Sequence, residues 1–238
     1  MNLIVLQEHD FIGPDLVRLS GRQLEHISQV HKATIGQQLR IGMLNGKIGH
    51  GKVVSLSDSH IEIQVELLTP PPEPLPLTLI LALPRPKMLK RVIQHLTSLG
   101  VKKLILLNSY RVEKSYWQTP WLKEDKLFDQ CLLGLEQAVD TQMPEILLRK
   151  RFKPFVEDEL PDMASQTRKL VAHPVGGEAC PVNIDEPTTL AIGPEGGFID
   201  YEVKKLQEAG FKSVHLGPRI LRVETALPVL VSRLFPAT

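Results

Sequence analysis

The 238-residue chain has little cysteine: Cys131 and Cys180 stand far apart, outside any CxxC or Cys/His spacing. That excludes a disulfide scaffold and a thiolate zinc site, and fits a reduced, cytoplasmic protein. Net charge is only +1, so the chain as a whole does not carry the charge of a polyanion binder. No apolar run approaches a membrane span; the longest lies near Leu77–Leu83. The opening residues MNLIVLQEHD lack the basic and apolar regions of a secretory signal. Neither GxGxxG nor GK[ST] occurs, which argues against a dinucleotide or nucleoside triphosphate site of the usual kind. His9, His26, His31, His50, His60, His95 and His215 are scattered, with no metal-ligand cluster, so no metal is expected.

Hydrophobic residues make up 42% of the chain, enough for a real core. Charge is unevenly placed. Between Leu16 and Leu56 lie Arg18, Arg22, Lys32, Arg40, Lys47 and Lys52 against one acid, Glu25. Between Leu81 and Lys114 lie Arg85, Lys87, Lys90, Arg91, Lys102, Lys103, Arg111 and Lys114 against Glu113. Such blocks either steer a polyanion to one face or are solvated helix faces.

The clearest boundary is Pro70–Pro76, five prolines in seven residues, which favours an extended spacer. Before it the pattern is β-rich. Leu3–Leu6 reads as a strand, and Asn45-Gly46 between two apolar runs marks a hairpin. Ile61, Ile63, Val65 and Leu67 alternate with polar residues, as in a half-buried strand. Ser20 and Gln23 suggest a capping box opening a helix that runs to about Val30. After the boundary, strands near Leu77–Leu83, Lys103–Leu107, Glu145–Leu148, Lys169–Ala172, Thr189–Ile192 and Val214–Leu216 alternate with helices. The helices begin near Pro86, Trp121, Tyr201 and Glu224. This order predicts an α/β fold with a mainly parallel sheet and a ligand at strand carboxyl ends.

Two glycine-rich turns follow the last two long strands: Ile192-Gly193-Pro194-Glu195-Gly196-Gly197-Phe198 and Leu216-Gly217-Pro218-Arg219-Ile220-Leu221-Arg222-Val223-Glu224-Thr225-Ala226. Each alone reads as an ordinary turn. Their order and spacing, with Ala172-His173-Pro174 upstream, resemble the signature of the 16S rRNA (uracil-N3)-methyltransferases, a family of the SPOUT superfamily. Leu99-Gly100-Val101, Ser109–Arg111, Glu136-Gln137 and Pro144-Glu145-Ile146 fall in the same order as in that family.

The resemblance implies a PUA-like β-barrel over 1–69, a hinge over 70–76, and a SPOUT α/β domain over 77–238 with a C-terminal trefoil knot. It implies a homodimer that binds S-adenosyl-L-methionine (SAM) and methylates N3 of a uridine in 16S rRNA of the small ribosomal subunit. Cofactor contacts would come from Ala172, His173, Pro174, Ile192, Gly193, Pro194, Glu195, Gly196, Gly197, Leu216, Gly217, Pro218, Ile220, Leu221 and Ala226.

Uracil N3 is a poor nucleophile until its proton leaves, so the reaction needs a cation beside the pyrimidine and a route for that proton. Arg222 and Arg219 are candidates for the cation. Glu224 and Thr225 either orient an arginine, relay the proton or cap the last helix. Glu195 is assigned to its loop's amides, His173 to the cofactor loop, and Phe198 to packing rather than stacking on the base. RNA contacts are assigned to Arg85, Lys87, Lys90, Arg91 and Arg111, with Arg18, Arg22, Lys32 and Arg40 from the barrel.

Departures from the family pattern lie on the RNA side. Gln29-Val30-His31-Lys32 replaces an arginine-rich stretch, Asp140 replaces an arginine, and Tyr110 replaces a glutamate. Ile199 stands where relatives carry a serine cap, leaving Asp200 to cap the helix. Two alternatives therefore stay open: a divergent paralogue acting on another RNA site, and a non-catalytic RNA-binding or ribosome-assembly protein.

Overall fold

The computed structural model describes residues 2–29 and 32–236, so Val30 and His31 lie outside the described residues. The chain forms two compact units, Met1–Glu73 with Cys131–Met143 and Pro74–Gln130 with Pro144–Thr238. The patterning of the sequence leaves Cys131–Met143 with the second unit, whereas its contacts place it in the first.

In the first unit, β1 (Ile4–Leu6), β2 (Leu16–Leu19), β3 (Gln38–Met43), β4 (Ile48–Leu56) and β5 (Ile61–Thr69) form one sheet ordered β1-β3-β4-β5-β2. Only the β1–β3 pairing is parallel. Asn45 takes the left-handed conformation (φ 57°) that the β3–β4 hairpin requires. β4 shifts register at Ile48/Gly49 and again at Val53/Ser55. A side chain at Gly49 would collide with the Glu66 carbonyl, so the backbones approach closely where the sheet curls into a barrel-like shape. Val17, Ile41, Val53, Ile61 and Ile63 fill the interior with Ile27 of helix α1 (Gly21–Gln29).

Two details of this unit differ from expectation. β2 is too short for its period to register in the sequence, yet it forms the edge of the sheet beside β5. The Gln23 amide donates to the Val5 carbonyl (2.8 Å) instead of returning to Ser20, so it ties α1 to β1 and the capping box does not form. Glu136, 1% exposed, accepts both forks of Arg22 at 2.9 Å. Burial raises the Glu136 carboxyl pKa, and Arg22 pulls it back down.

The second unit carries β6 (Leu77–Ala82), α2 (Pro86–Ser98), β7 (Lys103–Leu107), α3 (Glu124–Ala138), β8 (Glu145–Arg149), α4 (Phe152–Pro154), α5 (Leu160–Met163), β9 (Arg168–Ala172), β10 (Glu178–Ala179), β11 (Thr188–Ile192), α6 (Asp200–Glu208), β12 (Lys212–His215) and α7 (Val223–Leu234). The half of α3 from Cys131 onward belongs to the first unit. The seven strands are ordered β10-β12-β9-β11-β6-β7-β8, and every pairing is parallel. β11 is buried at every position and β6 at all but Thr78, which explains why threonine is the most polar residue in either strand.

Pro86 opens α2, and Gly100 (φ 84°) follows its end. α3 starts three residues later than expected, because Pro120–Leu122 winds as a separate 3₁₀ turn. The helical turns over 152–163 were not expected. Pro154 and Pro161 interrupt any helical period there, although Phe152, Phe155, Val156 and Leu160 are buried. The end of α7 is tied to the segment before β11: Asn183 N–H donates to the Arg233 carbonyl (3.0 Å) and Ile184 N–H to the Leu234 carbonyl (2.8 Å). Among the described residues no helix is long and apolar enough to cross a membrane.

The Arg22–Glu136 pair gives a direct test. Replacing Arg22 by Met leaves a buried carboxylate without its guanidinium, and with Arg22 half-exposed the cost is about 2 kcal/mol in chemical denaturation. The raised pKa of Glu136 stabilises the fold fully below the ordinary carboxylate range, and this stabilisation is lost as pH rises through the raised value. Arg22→Met raises that value further, so the variant loses more stability between acidic and neutral pH than the parent. A pH-independent difference between the two would refute the pairing.

Candidate functional site

Parallel register brings the strand ends to one level. Ala172 of β9 pairs with Ile192 of β11 on one side and Val214 of β12 on the other. The turns that follow wall a cavity of about 300 Å³ within the second unit. Ala172, His173 and Pro174 form one wall and Ile192 through Gly197 a second. Leu216, Gly217, Arg219, Ile220 and Leu221 form the third, with Ala226 of α7 behind. Of the residues expected at a cofactor site, Pro218 alone does not line the cavity. Val214, His215, Val223 and Leu230 line it without having been expected to.

Each turn is held by short local bonds. Gly197 (φ 75°) donates its N–H to the Pro194 carbonyl at 2.7 Å, closing the first glycine-rich turn. Gly217 adopts φ 100°, and no described atom lies within 4 Å of where its Cβ would stand, so that backbone edge faces open space. His215 Nδ1 accepts the Gly217 N–H at 3.0 Å and sets the entry to the second glycine-rich turn. A lone histidine carries no such message in the sequence. His173 Nδ1 lies 2.7 Å from the Val175 carbonyl, which ties the ring into its own loop.

A second set of bonds links neighbouring loops. Phe198 is 3% exposed and packs on Phe152, with ring centroids 6.1 Å apart, as its packing assignment requires. Asp200 is the first residue of α6 rather than its cap. The carboxylate that serves the helix start is Glu202, 2% exposed, which accepts the Ile199 N–H (3.0 Å) and the Tyr110 N–H (2.7 Å). Isoleucine has no acceptor, so the reciprocal half of a capping box is missing and Glu202 supplies the side-chain bond at this turn. Arg111 Nη1 donates to the Gly196 carbonyl. Glu195 does not hold its own loop's amides; it accepts the Arg85 Nε–H at 3.0 Å and the Arg85 backbone N–H at 3.4 Å. Glu195 accordingly raises the Arg85 pKa, and burial followed by Glu113 raises that of the Tyr116 phenol.

Arg222, its side chain 84% exposed, has Glu224 at 4.0 Å. Arg219 and Thr225 are exposed at the same rim. The residues assigned to RNA fall into two groups. Arg18 pairs with Glu62 (2.7 Å), Arg22 with Glu136 and Arg85 with Glu195, and Lys90 lies 4.0 Å over the Trp121 ring. Lys32, Arg40, Lys87 and Arg91 are exposed. Asp140, the charge reversal, is buried and turns the chain after α3 by accepting the Gln142 N–H at 2.9 Å.

An all-parallel α/β unit with a cavity made from glycine-rich turns at its strand ends is a domain built to hold one small ligand against backbone. Residues 71–235 match the RNA methyltransferase domain family, and the chain belongs to that family. It is 26% identical over 235 residues to ribosomal RNA small subunit methyltransferase E of Treponema pallidum (strain Nichols), covering 95% of this chain and 87% of that protein. The protein of the same name from Mesomycoplasma hyopneumoniae (strain 232) is 30% identical over 155 residues, 63% of this chain and 64% of that one. The fold is shared with the crystal structure of ribosomal RNA small subunit methyltransferase E from Neisseria gonorrhoeae bound to S-adenosyl methionine. That likeness has a TM-score of 0.76 at 23% identity and covers 98% of this chain and 95% of that one.

Because Glu202 serves two backbone N–H groups from within the protein, Glu202→Ala should cost about 2 kcal/mol. Hydrogen exchange should accelerate at the Ile199 and Tyr110 amides together. Acceleration at Ile199 alone would remove the link between the loops.

Proposed function

We propose that the protein transfers the methyl group of SAM to N3 of a uridine in 16S rRNA of the small ribosomal subunit. It would act in the cytoplasm as a homodimer, without a metal. The observation that carries this reading is the cavity, with three glycine- or proline-bearing turns from adjacent parallel strands as its walls. Its size is that of a small-molecule site. Leu221, Val223 and Leu230 offer apolar contact to a flat base, and the open Gly217 edge offers backbone groups at short range. The SAM bound in the Neisseria relative and the names of the curated relatives support the same reading.

SAM supplies an electrophilic methyl group on a sulfonium. The chain's own residues do the rest. The loops from Ala172, Ile192 and Leu216 bind and orient the cofactor, while the apolar wall excludes water. Arg219 and Arg222 put positive charge at the rim, where they close on RNA. Glu224 stands 4.0 Å from Arg222, close enough to take up the guanidinium when it orders on substrate. Exposed Lys32, Arg40, Lys87 and Arg91 meet phosphates, which set position rather than sequence.

The test is incubation of the protein and labelled SAM with small ribosomal subunits lacking the modification, followed by nucleoside analysis. Labelled 3-methyluridine is expected. Label in another nucleoside, or none, would sink the assignment. In the same assay Arg222→Ala should lower turnover about tenfold or more while SAM affinity stays within about twofold of the parent.

A further inference from the structure

Strands β11, β6 and β7 are neighbours in the sheet, with Ile192 level with Leu81 and Ala82 level with Leu107. The turns after β11 and β6 bring Glu195 and Arg85 together. Arg85 is the residue just before α2, and Glu195 is a wall of the cavity. One carboxylate oxygen of Glu195 takes both the side-chain Nε–H and the backbone N–H of Arg85, so side chain and turn are fixed at once. Nη1 and Nη2 of Arg85 have no hydrogen-bond partner among the described residues. The side chain is 55% exposed, so the free end of the fork is accessible from solvent beside Glu195, which lines the cavity although Arg85 itself does not.

Removing the N3 proton of uracil leaves negative charge shared with O2 and O4. A cation stabilises that charge best when it is already oriented, because nothing need reorganise during the reaction. Arg222 lacks this property: it is 84% exposed, and its carboxylate neighbour is 4.0 Å away. Ordering it on substrate costs side-chain entropy. Arg85 is already held, with two donor groups in a planar fork to spare.

We propose that Arg85 is a catalytic residue: oriented by Glu195, its guanidinium grips the target pyrimidine and stabilises the negative charge that develops as N3 loses its proton. Glu195 is then a positioning residue. In this step the N3–H bond breaks and the proton passes to solvent water. The N3 electron pair forms the new N–CH₃ bond, and the methyl–sulfur bond breaks with its pair left on sulfur. The inference rests on the N3-methylation reading.

The test compares the full-length parent with Arg85→Met and Glu195→Gln. Arg85→Met should lower kcat about 100-fold with SAM affinity, measured by calorimetry, within about twofold. Free guanidinium should restore part of the lost rate in Arg85→Met but not in Glu195→Gln, which should lose about tenfold. A second readout needs no turnover: binding of an RNA fragment with 5-fluorouridine, whose N3 is more acidic, at the methylated position. The parent should bind this fragment about tenfold more tightly once pH has risen through the analogue's ionisation, whereas Arg85→Met should not. Normal kcat in Arg85→Met, or an unchanged pH-linked preference, would overturn the role. A parent that yields no 3-methyluridine would remove the underlying reading and the inference with it.

Discussion

Everything in the putting-together of this site depends on one constraint: parallel strands in register end on the same side at the same height. Thr188–Ile192 pairs residue for residue with Leu77–Leu81 on one side and Arg168–Ala172 on the other. Val214 of β12 then falls level with Ala172. Each following turn starts from a common level, and the cavity is the space those turns enclose. The sheet itself needs no charged residue in its two central strands for this; β6 and β11, almost wholly buried, hold the register. Chemistry is thereby confined to the loops, where glycine and proline set the backbone.

The loops are not independent. Glu202 joins the start of α6 to the Tyr110 loop, Arg111 reaches the Gly196 carbonyl, and Glu195 holds Arg85. Three charged side chains thus connect the turns after β7, β11 and β6. A bound ligand touching Glu195 or Gly196 is, through these bonds, one contact away from Arg85 and Arg111. The cavity wall and the cations Arg85 and Arg111 are thus joined by hydrogen bonds rather than standing apart.

Much of this was legible in the sequence, and the failures have physical causes. Long apolar strands, the Asn45-Gly46 hairpin and the two glycine-rich turns are local signals, and the structure has them where expected. The walls of the cavity follow from those turns, since a glycine turn after a strand reads the same in one dimension and three. What escaped is long-range. Nothing local says that Arg22 meets Glu136, that Glu195 reaches back to Arg85, or that Glu202 serves Tyr110. Basic residues counted as RNA contacts turn out in part to hold the protein's own carboxylates. Short elements such as β2 and the turns over 152–163 carry too few residues for a period to emerge.

We propose that the cavity formed by these turns is the SAM site, and calorimetric titration of SAM into the full-length protein is the test. One site per chain is expected, abolished by Gly196→Val. At that position an added Cβ meets the Arg111 side chain, with Cδ at 3.0 Å, and no backbone, so circular dichroism checks that the variant is folded. Absence of binding to the parent, or undiminished binding to a folded Gly196→Val variant, would contradict the claim.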